Sequence, residues 1–236
     1  MLENVVVVGG YRTYIGKENG IYRHVPAEKL GGHILHKLSE KYGEPDLVLA
    51  GNAVGAGGNI GRLMALEAGI PEEVPAFTID SQCSSGMEAI VMAAAKIRSG
   101  QQQVVFAGGA ESSSTAPRRM VSENHPEYNG DKIYTAAKFS PGEWRQDAML
   151  WGAEKTAKMA GVSRKTLDAW ALRSQQLAVK ARDTNVFEDV ILPLGTEKEC
   201  DQGIRRAMSQ AFIEKIPALY ENGVTTAANA CGTQDG

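Results

Sequence analysis

Residues 76–97, AFTIDSQCSSGMEAIVMAAAKI, run from a short apolar stretch into a long apolar helix, with one cysteine at the junction. A strand ending near Asp80 and a helix starting near Ser84 leave a tight turn with Cys83 at its tip. Helix N-termini carry unpaired backbone N–H groups and a partial positive charge, which stabilise a thiolate and lower its pKa. Ser84, Ser85 and Gly86 add little bulk, so a carbonyl could approach the backbone there. The N–H of Cys83 could then donate to an oxyanion at that carbonyl. Met87, Ile90, Val91, Ala94 and Ile97 make the helix apolar enough to be buried as a rigid support. Two readings of the cysteine follow: a small core filler, or a nucleophile presented by a strand and a helix.

The flanks extend the pattern. NVVVVGG (4–10) is a β-branched run stopped by glycines, as for a buried strand. PAEKLGGHILHKLSEKYG (26–43) has Leu30, Ile34, Leu35 and Leu38 at helical spacing between a proline start and a glycine stop. DLVLAG (46–51) reads as a strand, NIGRLMALEAG (59–69) as a helix, VPAFTID (74–80) as a strand and QQVVFAGG (102–109) as a strand. Strands alternating with helices predict an α/β fold with a largely parallel, covered sheet.

After Glu111 the chain turns polar, rich in turn formers and more densely charged. A helix is expected from Ser163 as N-cap, with Leu167, Trp170, Ala171, Leu177 and Ala181 along one face. GVTTAANACGTQDG (223–236) returns to small and β-prone residues. A net charge of −3 makes no electrostatic case for a nucleic-acid partner. Apolar runs are short or broken by charge and the N-terminus is acidic, so the expectation is a cytoplasmic chain with no membrane span. Cys83, Cys200 and Cys231 form no CxxC pair. His24, His33, His36 and His125 show no metal-ligand spacing, so no metal is expected.

RTYIG (12–16), GNIGRLMALEAGIPEEVPAFTIDSQCSSGMEAI (58–90), GQQQVVFAGGAESSS (100–114) and NGVTTAANACGTQDG (222–236) resemble thiolases in order and spacing. The most specific elements are C-x-S-G at 83–86 and A-G-G-x-E-S at 107–112. The resemblance implies a thiolase-like layered α-β-α core over 1–115 and a mainly helical loop domain over 116–223 that binds coenzyme A. Residues 224–236 would return to the core. It makes Cys83 the acyl-accepting nucleophile and coenzyme A thioesters the substrates, with no permanently bound cofactor. Met149 falls where the family often has a methionine lining the acyl and pantetheine pocket, while Ala148 replaces the usual preceding histidine. Arg205, with Arg206 as the competing choice, falls at an arginine that meets the nucleotide end of coenzyme A. A guanidinium suits phosphate by geometry and permanent charge. Ala227 and Cys231 fall in the stretch that meets the pantetheine arm, and Cys231 stands where many thiolases have serine. It either packs passively or marks a changed substrate preference. Cys200 reads as an exposed loop residue without a role.

The resemblance covers roughly the first 60% of a thiolase. A Gly-His-Pro histidine, a second cysteine in a C-x-G element and an oxyanion-holding asparagine belong to the family's second half, and these motifs do not occur here. Such groups work as a unit with the nucleophile. The chain then reads as part of a full thiolase, as one subunit of a split enzyme, or as a non-catalytic acyl-CoA-binding module. A homo-oligomer or a partner chain supplying the other half is expected. The rival chemistry is a ketoacyl-synthase-like condensing enzyme, which shares the fold and the cysteine. The glycine after C-S-S and the long charged insertion favour thiolase.

Overall fold

The computed structural model describes residues 5–130, 132–142, 145–195 and 199–236. In chain order the elements are β1 (Gly16–Lys17), α1 (Ala27–Tyr42), β2 (Leu47–Gly51), α2 (Ile60–Glu67), β3 (Ala76–Ile79), α3 (Ser85–Arg98) and β4 (Val105–Gly109). They continue with β5 (Arg119–Met120), β6 (Ile133–Tyr134), α4 (Ala148–Met159), α5 (Arg164–Asp183), α6 (Gln210–Ile213) and β7 (Gln234–Asp235). The chain forms two compact units, 1–117 with 187–203 and 233–236, and 118–186 with 204–232.

The first unit is built on a parallel sheet in the order β3-β2-β4, with Val48 opposite Ala76 and Phe106. Every residue of β2 is buried, so the period-two alternation of its side chains serves two hydrophobic layers. Val48 and Ala50 pack with Leu30 and Leu35 of α1 and Ile60 and Met64 of α2. Leu47 and Leu49 point the other way, onto Ala89 and Ala93 of α3. That is a helix–sheet–helix sandwich, and each large aliphatic buried in it contributes about 1.5–3 kcal/mol. Local chemistry sets the ends of the elements. Asn59 caps α2 by accepting from the Arg62 amide at 3.1 Å, and its own amide group donates to Ala76 O at 2.8 Å, tying the helix to β3. Asp46 accepts from the amides of Val104 and Gln103, which hold its carboxyl below the usual range and align the entries to β2 and β4.

One expected strand is missing. Residues 5–10 form no strand, Val6, Val7 and Val8 are exposed, and Asn4 lies outside the described residues. β-branched residues favour extended backbone, but a strand also needs a neighbour to receive its hydrogen bonds. The described residues place none beside this run.

Two stretches fall differently from the expected division. Residues 187–203 belong with the first unit. Arg12 grips Asp201 through two bonds of 2.9 and 2.8 Å, and Asp201 also accepts from the Ile15 amide. Burial would raise the Asp201 carboxyl, but the guanidinium and the amide outweigh it and hold it low. Backbone bonds from Arg12 N to Val190 O and from Leu192 N to Arg12 O complete the clasp. Residues 224–232 belong with the second unit. There the fully buried Glu154 of α4 accepts from the amides of Val224 and Thr225.

In the second unit Ser163 caps α5 as expected, accepting from Thr166 N. The expected apolar face turns inward only in part: Leu167, Ala171 and Ala181 are half-buried, while Trp170 is 63% exposed and Leu177 is also exposed. The residue that α5 buries fully is Asp168. Its charge is tolerated because Arg164 Nε donates to one carboxylate oxygen and Asn229 Nδ2 to the other. Among the described residues, no helix is long and apolar enough to cross a membrane. Nor do they hold a group of three or more His, Cys, Asp or Glu able to bind a metal.

Candidate active site

The turn between β3 and α3 is held by its own side chains. Asp80 Oδ1 accepts from the Gln82 amide at 3.0 Å, and Gln82 takes φ 55°, the left-handed region that a residue with a Cβ enters at a cost of about 1–2 kcal/mol. The chain then folds back, with Ser84 N donating to Ser81 O and Ser85 N to Gln82 O. Ser84 Oγ also donates to Ser81 O at 2.7 Å rather than capping the helix. Ser85 is 4% exposed, and its hydroxyl donates to Gln82 O at 2.5 Å while accepting from Ser81 N at 2.8 Å. Cys83 stands at the tip of this turn, exposed, two positions before the first helical residue. The core-filler reading of Cys83 therefore fails on exposure.

The helix behind the turn sits unusually close to the sheet. A Cβ placed on Gly51, the last residue of β2, would lie 2.5 Å from the Gly86 amide nitrogen and 2.5 Å from the Ser85 carbonyl carbon. Only glycine permits that approach. It also selects which side of α3 is buried, since Ser85, Ala89 and Ala93 fit the gap and larger residues do not. The other side of α3 is bare in this chain: Met87 is 64% exposed, and Ile90 and Val91 are exposed too. The support for Cys83 comes from the small residues.

Glu111, just beyond β4, organises the neighbouring strand end. Its carboxylate accepts from the Ala53 amide, from the Val54 amide at 3.3 Å and from Asn52 Nδ2 at 3.0 Å. Asn52 is buried and also donates to Ala110 O. Sequence reading assigned Glu111 and Asn52 no role. The available signal was a carboxylate directly following Gly-Gly-Ala at the end of a buried strand.

Met149, Arg205, Ala227 and Cys231 all lie in the second unit, whereas Cys83 lies in the first. Met149 lies in the first turn of α4 and is 61% exposed. Arg205 is held by its backbone, whose amide donates to Gln175 Oε1 at 2.7 Å. Arg206 differs, for its guanidinium is paired with Asp183. Ala227 and Cys231 are exposed on a turn locked by Thr226 and Asn229. Thr226 N donates to Asn229 Oδ1 at 2.8 Å, and Thr226 Oγ1 accepts from the Ala228 and Asn229 amides. Asn229 Nδ2 then reaches Asp168 Oδ1 and Val224 O. Thr226 and Asn229 thus bond each other reciprocally, as the ends of a capping box do, with Asn where that motif has Glu or Gln. Cys231 donates its S–H to Gly232 O at 3.2 Å. Cys200 is exposed, as expected of a loop residue.

Residues 5–236 match the family described as "Thiolase, N-terminal domain". The chain is 36% identical over 245 residues to "Putative acetyl-CoA C-acetyltransferase VraB" of Staphylococcus aureus, covering 100% of this chain and 64% of that protein. It is 37% identical over 237 residues to the similarly named YhfS of Bacillus subtilis, covering 99% of this chain and 61% of that one. The crystal structure of the Bacillus anthracis acetyl-CoA acetyltransferase superposes with a TM-score of 0.88 at 29% identity, over 99% of this chain and 64% of the other. The chain thus spans a little under two thirds of the length of these relatives.

Proposed function

This chain belongs to the thiolase family, and we propose that it carries the acyl-accepting step of a thiolase-type acyltransferase, with Cys83 as nucleophile and coenzyme A thioesters as substrates. The observation that carries the reading is the exposed Cys83 on a braced strand-to-helix turn. The thiolate sulfur attacks the thioester carbonyl carbon, the carbon–sulfur bond to coenzyme A breaks, and the proton given up by Cys83 goes to the departing sulfur. The products are an acyl-cysteine and free coenzyme A. The Ser84 and Ser85 amides already donate to Ser81 O and Gln82 O, which leaves the amide of Cys83 itself for the oxyanion. With a 3-ketoacyl substrate the same attack falls on the keto carbon, and the bond to the neighbouring carbon breaks. That step needs a proton donor for the departing enolate, and the family's second-half motifs supply it.

Met149, Arg205, Ala227 and Cys231 are the residues we propose for coenzyme A. Between the two arginines, Arg206 is engaged by Asp183, which favours Arg205 for a phosphate. The exposed Met87, Ile90 and Val91 face of α3 favours a chain that works as a homo-oligomer or with a covering partner chain that brings the missing histidine and cysteine.

The test is to incubate the purified chain with acetyl-CoA, quench in acid and map the acetyl group by mass spectrometry. Acetylation of Cys83, lost in Cys83→Ala, is the expected result. Label on Cys200 or Cys231 instead, or none at all, would overturn the assignment.

A further inference from the structure

Resting on the assignment of Cys83 as acyl acceptor, we infer that Ser85 is a positioning residue for it. Its buried hydroxyl fixes the peptide that leads into Cys83. That hydroxyl has one proton, which goes to Gln82 O at 2.5 Å, and it accepts from Ser81 N at 2.8 Å. Its one proton and one of its two lone pairs are therefore spent on the turn. Gln82 sits between these two partners at φ 55°, a conformation that persists only when its surroundings over-determine it.

The geometry reaches Cys83 through the planar peptide bond. The Gln82 carbonyl and the Cys83 amide belong to the same trans peptide, so they point in opposite directions. Holding the carbonyl toward Ser85, where the Ser85 amide also meets it at 3.1 Å, turns the Cys83 N–H away from the helix start. One hydroxyl thus sets both the base of the thiol side chain and the amide proposed to receive the oxyanion. Burial matters here, because at 4% exposure water has little access to replace the hydroxyl.

The experiment compares the full chain with Ser85→Ala, Ser85→Thr and Ser85→Cys. Acetyl transfer from acetyl-CoA to residue 83 is followed by mass spectrometry, alongside iodoacetamide alkylation at 83 and thermal unfolding. Acetyl transfer needs the oriented amide, and alkylation by a small reagent does not. Ser85→Ala is expected to slow acetyl transfer about tenfold or more while alkylation changes less than about threefold. Ser85→Thr keeps the hydroxyl and is expected to return to within about threefold of the unaltered chain. Ser85→Cys keeps the size but weakens both bonds, so it falls in between, and it carries the test where the alanine chain does not fold. Full-rate acetyl transfer in Ser85→Ala or Ser85→Cys would overturn the inference alone. So would equal losses in both reactions accompanied by a lower melting temperature, the mark of a general loosening. No acetyl group on the unaltered chain would overturn the acyl-acceptor reading itself, and this inference with it.

Discussion

Glu154 on α4 accepts the backbone amide of Thr225 at 2.8 Å, across 71 positions of sequence. With the Val224 amide and Lys158 on the same carboxylate, it fastens the stretch carrying Ala227 and Cys231 to α4. Burial alone would raise this carboxyl, yet the Thr225 amide and hydroxyl, the Val224 amide and the Lys158 ammonium outweigh it and bring the pKa down to about 2, against an ordinary 4.5. A depressed folded-state pKa contributes stability that is fully present above the unfolded value and is lost as pH falls through the folded one. The resistance of the chain to thermal unfolding should therefore fall as the pH drops from about 4.5 to about 2. Glu154→Gln should be less stable at neutral pH by about 1–3 kcal/mol, and the gap should narrow across that window. A gap independent of pH would show that the charge contributes nothing.

Asp168 makes a second prediction. It is 2% exposed and lies between Arg164 and Asn229, while Arg164 also donates to the carbonyls of Ile213 and Ile216. Arg164 is 26% exposed and keeps those two carbonyls, so the cost of removing Asp168 is that of an unsatisfied buried hydrogen bond, about 1–3 kcal/mol, and not that of a fully buried charge left alone. Asp168→Ala should lower the unfolding free energy from urea titration by that amount, and Asp168→Asn, which keeps an acceptor, by clearly less. Equal losses would show that the packing of the side chain, not its charge, is what counts.

The two adjacent arginines separate in a binding measurement. If Arg205 meets a phosphate of coenzyme A, Arg205→Ala should weaken binding by about 1.5–3 kcal/mol, roughly tenfold to a hundredfold in Kd by calorimetry. Arg206→Ala should cost little, since it breaks an exposed pair with Asp183 whose worth is about 0–1 kcal/mol. The reverse order would move the phosphate contact to Arg206.

The exposed side of α3 predicts behaviour in solution. Met87, Ile90 and Val91 form an apolar stripe, and a folded chain that leaves it bare should self-associate at micromolar concentration. Sedimentation velocity should show species larger than the monomer, and Ile90→Glu with Val91→Glu should reduce them. A clean monomer for the unaltered chain would count against this face as a covered surface.

What could be read from sequence follows the range of the forces involved. The elements β2, α2, β3, α3 and β4 were legible because period, caps and glycine stops are written within a few residues of each element. The strand-to-helix turn on which Cys83 stands was legible for the same reason. The buried side of α3 was not: a helix apolar nearly all round gives periodicity nothing to choose between, and the choice is made by Gly51, far off in sequence. Asp168 hid because a carboxylate inside a helix reads as solvent-facing until Arg164 and Asn229 are seen around it. The place of residues 187–203 depended on Arg12 and Asp201, 189 positions apart, and no local pattern carries such a pairing. Residues 5–10 show the converse, a strong local preference with no strand beside it among the described residues.

The last prediction concerns turnover. Carbon–carbon bond making or breaking at the acyl-cysteine needs a base for the α-proton and donors for the enolate oxygen. The sequence has no Gly-His-Pro element and no second cysteine in a C-x-G element. Of its four histidines, His125 lies in the second unit, where its ring accepts from the Glu127 amide. A nucleophile without its base and oxyanion partners loses orders of magnitude, because the groups act together. The isolated chain should therefore show slow or undetectable thiolysis of acetoacetyl-CoA while Cys83 still takes up label. Adding a polypeptide that bears the absent motifs should restore turnover, and Cys83→Ala should abolish it. Thiolysis by the chain alone at an ordinary enzyme rate, about 1–1000 per second, would mean that another group among these residues serves as the base.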